Sequence, residues 1–169
     1  MPSTYEKIAT TTLGSATATV TFSSIPGTYT DLVIVGFASN SSADAVSTGY
    51  MRFNGDSGNN YSDTLVYTET TGPNSFRNTN TNSLGLWTIM GNTDTNRKST
   101  ILINVNNYSN STTYKTSLYR IGTPTSSGGW TNMDIGLWRN TAAITSILLG
   151  GGTDWLSNTT FTLYGIKAA

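Results

Sequence analysis

Short stretches in which every second residue is apolar recur along this chain, and none extends into the three-to-four spacing of a helix. Thr17 to Phe22 is the cleanest. Ala18, Val20 and Phe22 fall on one side and Thr17, Thr19 and Thr21 on the other, the period of a strand with one buried face. Ser99 to Val105 repeats the pattern, with Ile101, Ile103 and Val105 expected inward. Trp130 to Arg139 follows with Met133, Ile135 and Leu137, and Thr159 to Ile166 with Phe161 and Leu163. Tyr5 to Leu13, Leu84 to Met90, Thr113 to Ile121 and Ile144 to Leu149 also read as strands, being rich in β-branched and aromatic residues. Asp31 to Ser39 is almost wholly apolar, so it is expected to be covered on both faces.

Turn-forming clusters separate these runs. Ile25-Pro26-Gly27 is one, with Pro restricting φ and Gly permitting a positive value. Asn54-Gly55-Asp56-Ser57-Gly58-Asn59 is another, expected to join Gly49–Asn54 to Asn60–Tyr67 as a hairpin. Gly72 to Asn82 is polar and holds Pro73, so it reads as a long surface loop. Gly122 to Gly129 reads as a loop, and Gly150-Gly151-Gly152 as a flexible break. The sum is about ten strands in one domain over residues 1–169. The expected fold is all-β: a two-sheet antiparallel β-sandwich, jelly-roll-like in size.

Composition then narrows function. Ser, Thr and Asn supply about two fifths of the chain, and charged residues only 11%, against about 25% in ordinary proteins. The surface of such a fold must be covered by neutral hydrogen-bonding groups. The nine basic residues are scattered and formal net charge is zero. With no basic stripe to displace counterions, nucleic acid is not an expected partner. No apolar run reaches the ~18 residues that a spanning helix requires, and the first residues lack the apolar core of a secretory signal, so no membrane insertion is expected. There is no Cys and no His. That removes thiolate chemistry, His-activated nucleophiles and the usual zinc ligands. No catalytic residue, cofactor or metal is expected, and the chain reads as a non-enzyme.

Two sets of residues remain as candidates. Asn54 and Asp56 sit in an oxygen-rich loop that weakly resembles a cation site, although calcium loops space several carboxylates at alternate positions. Trp130, Trp138 and Trp155 are candidate ligand or interface aromatics. Trp138 falls on the opposite side of its strand from Met133, Ile135 and Leu137, which predicts exposure or a subunit contact. Trp130 and Trp155 fall in or beside loops. The nine acids mostly fall in or beside turns, and no pair shows the register that a glycosidase requires.

Several segments, taken in order, resemble virion structural proteins of tailed bacteriophages. They are Ile25 to Ile34 (IPGTYTDLVI), Arg52 to Ser62 (RFNGDSGNNYS), Val105 to Tyr108 with Lys115-Thr116, Trp138 to Ile147 (WRNTAAITSI), and the close Leu163-Tyr164-Gly165-Ile166. The resemblance extends from about Ile8 to Ile166. It implies a β-sandwich module of the tail-fibre or capsid-decoration type, non-enzymatic and exposed on the virion surface after synthesis in the host bacterial cytoplasm. Met1 stands a few residues before the first strand, which favours a small stand-alone decoration (cement) or fibre protein. The implied partners are the chain itself, as a homotrimer, and the major capsid protein or tail proteins. The alternative is a receptor-binding module that grips a host surface glycan.

Overall fold

The computed structural model describes residues 4–69, 72–126 and 128–167. Twelve antiparallel strands form two sheets, the expected two-sheet β-sandwich, and no helix occurs among the described residues. In chain order the strands are β1 (Tyr5–Thr12), β2 (Thr17–Phe22), β3 (Asp31–Ala38), β4 (Val46–Phe53), β5 (Tyr61–Glu69) and β6 (Gly72–Thr81). They continue as β7 (Leu84–Met90), β8 (Ser99–Asn106), β9 (Lys115–Thr125), β10 (Gly128–Trp138), β11 (Ile147–Trp155) and β12 (Thr160–Ile166). The larger sheet has the order β1-β12-β3-β8-β9-β10-β5-β6, and the smaller β2-β11-β4-β7. Apart from the β5–β6 hairpin and the β8–β9–β10 meander, successive strands alternate between the sheets. The hairpin and the meander dock on each other through β5 and β10, which widens the larger sheet beyond the edge of the smaller.

The core lies between the sheets. Ile101, Ile103 and Val105 of β8 and Phe161 and Leu163 of β12 point into it, as the alternation predicts. Val20 and Phe22 meet them from β2. Burying one such side chain contributes about 1.5–3 kcal/mol relative to leaving it in water.

Several expectations fail for identifiable reasons. Residues 72–81 are a strand, not a loop. They form the outer edge of the larger sheet, where an edge strand tolerates Pro73 opposite Thr68 and both faces meet solvent. Residues 122–125 and 128–129 extend the β9–β10 hairpin, with Pro124 opposite Gly129, while Ser127 lies outside the described residues. Gly150-Gly151-Gly152 is a bulge inside β11, not a break. A Cβ on Gly152 would come within 2.0 Å of the Thr48 carbonyl oxygen, so the close approach of β4 requires glycine there. Segments 46–53 and 61–69 are not hairpin partners. β4 belongs to the smaller sheet and β5 to the larger, so the Asn54–Asn60 loop crosses between layers. Local turn chemistry is the same in both cases, and only tertiary pairing distinguishes them.

Two faces were misassigned. β3 is not covered along both faces: Leu32, Ile34 and Ala38 face inward, and on the other side Val33 is buried but Val35 and Phe37 are 42% and 52% exposed. β10 is inverted. Its inward residues are Asn132, Asp134, Gly136 and Trp138, and Met133 and Ile135 are 54% and 56% exposed.

Candidate functional site

The inversion of β10 relocates the first aromatic candidate. Trp138 is a buried core residue, neither exposed nor free for a subunit contact. Its ring lies 5.5 Å from Phe53 and stacks on Tyr61 at 6.3 Å. Trp155 is also fully buried, edge-on to Phe161 at 5.1 Å, because the glycine bulge continues β11 through it. Its indole N–H donates to the Leu149 carbonyl at 3.0 Å. Neither ring has a face for a ligand. Trp130 alone of the three is partly exposed.

The Asn54–Asp56 loop is tied by its own side chains. Asn54 has φ +53°, and its Oδ1 accepts from the Thr145 and Ser146 amides at 2.8 and 3.1 Å. Asp56 accepts from Trp138 Nε1 at 2.7 Å, the Gly58 amide at 2.8 Å and Asn60 Nδ2 at 2.9 Å. Burial works to raise the Asp56 carboxyl. The hydrogen bonds from Trp138, Asn60 and Gly58 outweigh it and hold the group below its ordinary value. The oxygens a cation would require are thus engaged in bracing the crossover. Among the described residues, no three acidic side chains gather.

An unanticipated polar cluster lies on the inner face of the larger sheet. Asp134 faces Tyr119 across β10 and β9, and Gly136 faces both Ser117 and Asp63. Asp63 and Asp134 are 2% and 1% exposed. Asp63 Oδ1, both Asp134 carboxyl oxygens, Tyr119 Oη and Ser117 Oγ are buried with no hydrogen-bond partner. Burial, and then the neighbouring Asp63, push the Asp134 carboxyl up to about 8. Burial pushes the Tyr119 phenol well above its usual value. Two carboxylates this close could serve as an acid–base couple only if a substrate reached them, and both are almost wholly buried. Asp63 shares its side of β5 with Tyr61 and Leu65, a signal that could have found it, whereas Asp134 lies on the side of β10 that alternation marks as polar and gave no such signal.

Asp63 has a second role. Its Oδ2 accepts the Trp87 indole N–H at 2.9 Å, linking the edge strand of the smaller sheet to the larger one. The Trp87 ring lies over Gly85, where a Cβ would come within 2.3 Å of Nε1. Phe76 meets Trp87 edge-on at 5.2 Å. Beside this ring is a cleft of about 320 Å³, whose walls include Ser47, Thr48, Tyr67, Phe76, Trp87 and Trp130. Among the described residues, no Asp, Glu, Lys or Arg lines it. Ser47 pairs with Ile89 and Gly49 with Leu86, so Trp87 and Thr88 together oppose Thr48 in a β-bulge. Thr88 has φ +64°, a value that a β-branched residue adopts only under constraint. Its carbonyl is held by the hydroxyls of Ser99 and Thr123.

The opposite face of the larger sheet is apolar. Val35 faces Leu102, Leu102 faces Arg120, Arg120 faces Met133, and Met133 faces Val66. In the adjoining row Leu118 faces Ile135. Val35, Phe37, Val66, Leu118, Met133 and Ile135 are each 42–56% exposed. Compared with family models, with curated proteins and with solved structures, the chain matches none.

Proposed function

We propose that this chain is a non-enzymatic structural protein of a tailed-bacteriophage particle, a small decoration or fibre protomer that assembles through the outer face of its larger sheet. The observation that supports the reading is the row of half-exposed apolar side chains across β3, β8, β9, β10 and β5. Those six residues amount to on the order of 500 Å² of apolar surface, at the upper end of what a monomer displays. With the threonines and asparagines around them, they approach the roughly 800 Å² per partner of a stable interface. Arg120 is the single charge in the middle of the face, so little ionic desolvation opposes docking. The strand order, read as a jelly roll widened by two inserted hairpins, accords with the sequence resemblance.

A second copy is the occupant that best matches a flat, neutral, apolar sheet face, and a homotrimer is the assembly we favour. Light scattering on the eluting protein would then give three times 18.0 kDa. Met133→Glu combined with Ile135→Glu would reduce it to one chain without changing the far-ultraviolet spectrum. A wild-type monomer at every concentration would remove the self-assembly part. The virion part is tested by peptide mass spectrometry of gradient-purified particles, and absence of the chain from them would overturn it.

A further inference from the structure

We propose that the cleft beside Trp87 is a binding site for one neutral sugar ring. The argument rests on four features described above. The ring of Trp87 is fixed before any ligand arrives: Asp63 holds its N–H from below, Gly85 leaves room for it to lie flat, and Phe76 buttresses its edge. A preorganised aromatic plate of this kind suits the apolar C–H face of a pyranose, since little side-chain entropy is lost on binding. Ser47, Thr48 and Tyr67 are among the residues that line the cleft, and their hydroxyls bond to no other described residue, so those that reach it are free to meet sugar hydroxyls. Among the described residues no charged group lines the walls, which disfavours phosphates, carboxylates and amines. The volume of about 320 Å³ lies at the lower end of the range for small-molecule sites, appropriate to one ring with a short extension.

The bulge and the constrained Thr88 point to the same place. Backbone held away from its preferred conformation collects at ligand sites, because an ideal ladder would not present the same surface. Here the bulge lets Trp87 reach across to Asp63 and places Thr48 opposite it. Along β5, Leu65 and Tyr67 face the cleft while Val66 between them faces outward. The site therefore stays open when the outer sheet face is covered, and it stands or falls independently of assembly.

The test is a titration of the intact chain with glucose, galactose, mannose, N-acetylglucosamine and N-acetylgalactosamine, followed by tryptophan fluorescence and by saturation-transfer NMR. A saturable response with a millimolar dissociation constant to at least one sugar is expected. Trp130→Ala should weaken it several-fold, and Ser47→Phe, which fills the cleft from a partly exposed position, should abolish it. Trp87→Phe, which keeps an aromatic plate, should retain measurable affinity. No response to any of the five sugars overturns the proposal. So does a response that survives Ser47→Phe, or one reproduced by indole or benzoate and not by a sugar. Light scattering on the same samples reports assembly separately, so failure of one reading leaves the other intact.

Discussion

Asp134 stands directly opposite Tyr119 on neighbouring strands, and neither side chain has a hydrogen-bond partner. The folded protein therefore holds the Asp134 proton far more tightly than the unfolded chain does. Below about pH 4 both states carry that proton. Above it the unfolded chain releases the proton while the folded protein keeps it until about pH 8. Stability must fall across that window, by at most about 1.4 kcal/mol per pH unit, and then level off. Urea unfolding at pH 4.5 and pH 8 should differ by a few kcal/mol in the wild type. In Asp134→Asn the difference should largely vanish, with the variant the more stable at pH 8. A wild-type profile that is flat over this window would contradict the assignment.

Trp138 carries both packing and a polar tie. Trp138→Phe keeps a ring beside Phe53 and Tyr61 but removes the donor to Asp56, leaving an acceptor in a partly buried loop. A loss of about 2–4 kcal/mol is expected, combining lost volume with the unmet bond. The midpoint of chemical denaturation reports it. A loss below about 0.5 kcal/mol would mean that the crossover between sheets does not depend on this contact.

Thr88 is the opposite case. It sits at positive φ with Oγ1 buried and unbonded. Thr88→Gly removes both penalties at the cost of a little packing. A gain of about 1 kcal/mol is expected, seen as a raised melting temperature. Destabilisation would show that the side chain packs more favourably than its backbone and hydroxyl suggest.

Gly85→Ala should displace the Trp87 ring, because the new methyl would occupy the place of the indole nitrogen. The Asp63 bond would break, at a cost of about 1–3 kcal/mol. Tryptophan emission should shift to the red as the ring meets water. Unchanged emission would mean that the ring is held by something other than its position over Gly85.

The sequence revealed the class of fold because each strand with one apolar side and one threonine-rich side has a single sensible orientation. β2 and β8 are of that kind. β10 misled because both of its sides carry something that could be buried. Met133, Ile135 and Leu137 outweigh Asn132, Asp134 and Gly136 on hydrophobicity, yet the side with the two polar residues and the glycine is the one that packs inward. Alternation reports which residues avoid water. It does not report whether they do so in the core or on a surface awaiting a partner. β6 was hidden for a different reason: an edge strand with both faces wet has no apolar period at all. Trp130 was singled out because loop signals surround it, although it lies within β10. The place of Trp87 depends on Asp63, a residue 24 positions away on another sheet, and no local pattern encodes that pairing.

The first strand lies beside the last, and the second beside the penultimate. Thr10 and Thr162, 152 residues apart, bond across that seam. Neither early strand can find its place until β11 and β12 exist, so the sandwich closes late and slowly, as topologies with distant pairings do. During that wait β1 and β2 are unpartnered, a state in which a long hydrophobic strand would invite aggregation. Three of their six exposed positions, Thr10, Thr12 and Thr21, are threonine, and none is a large aliphatic residue. Such strands stay soluble while they wait, and the pace at which finished protomers accumulate is set by closure of this terminal seam.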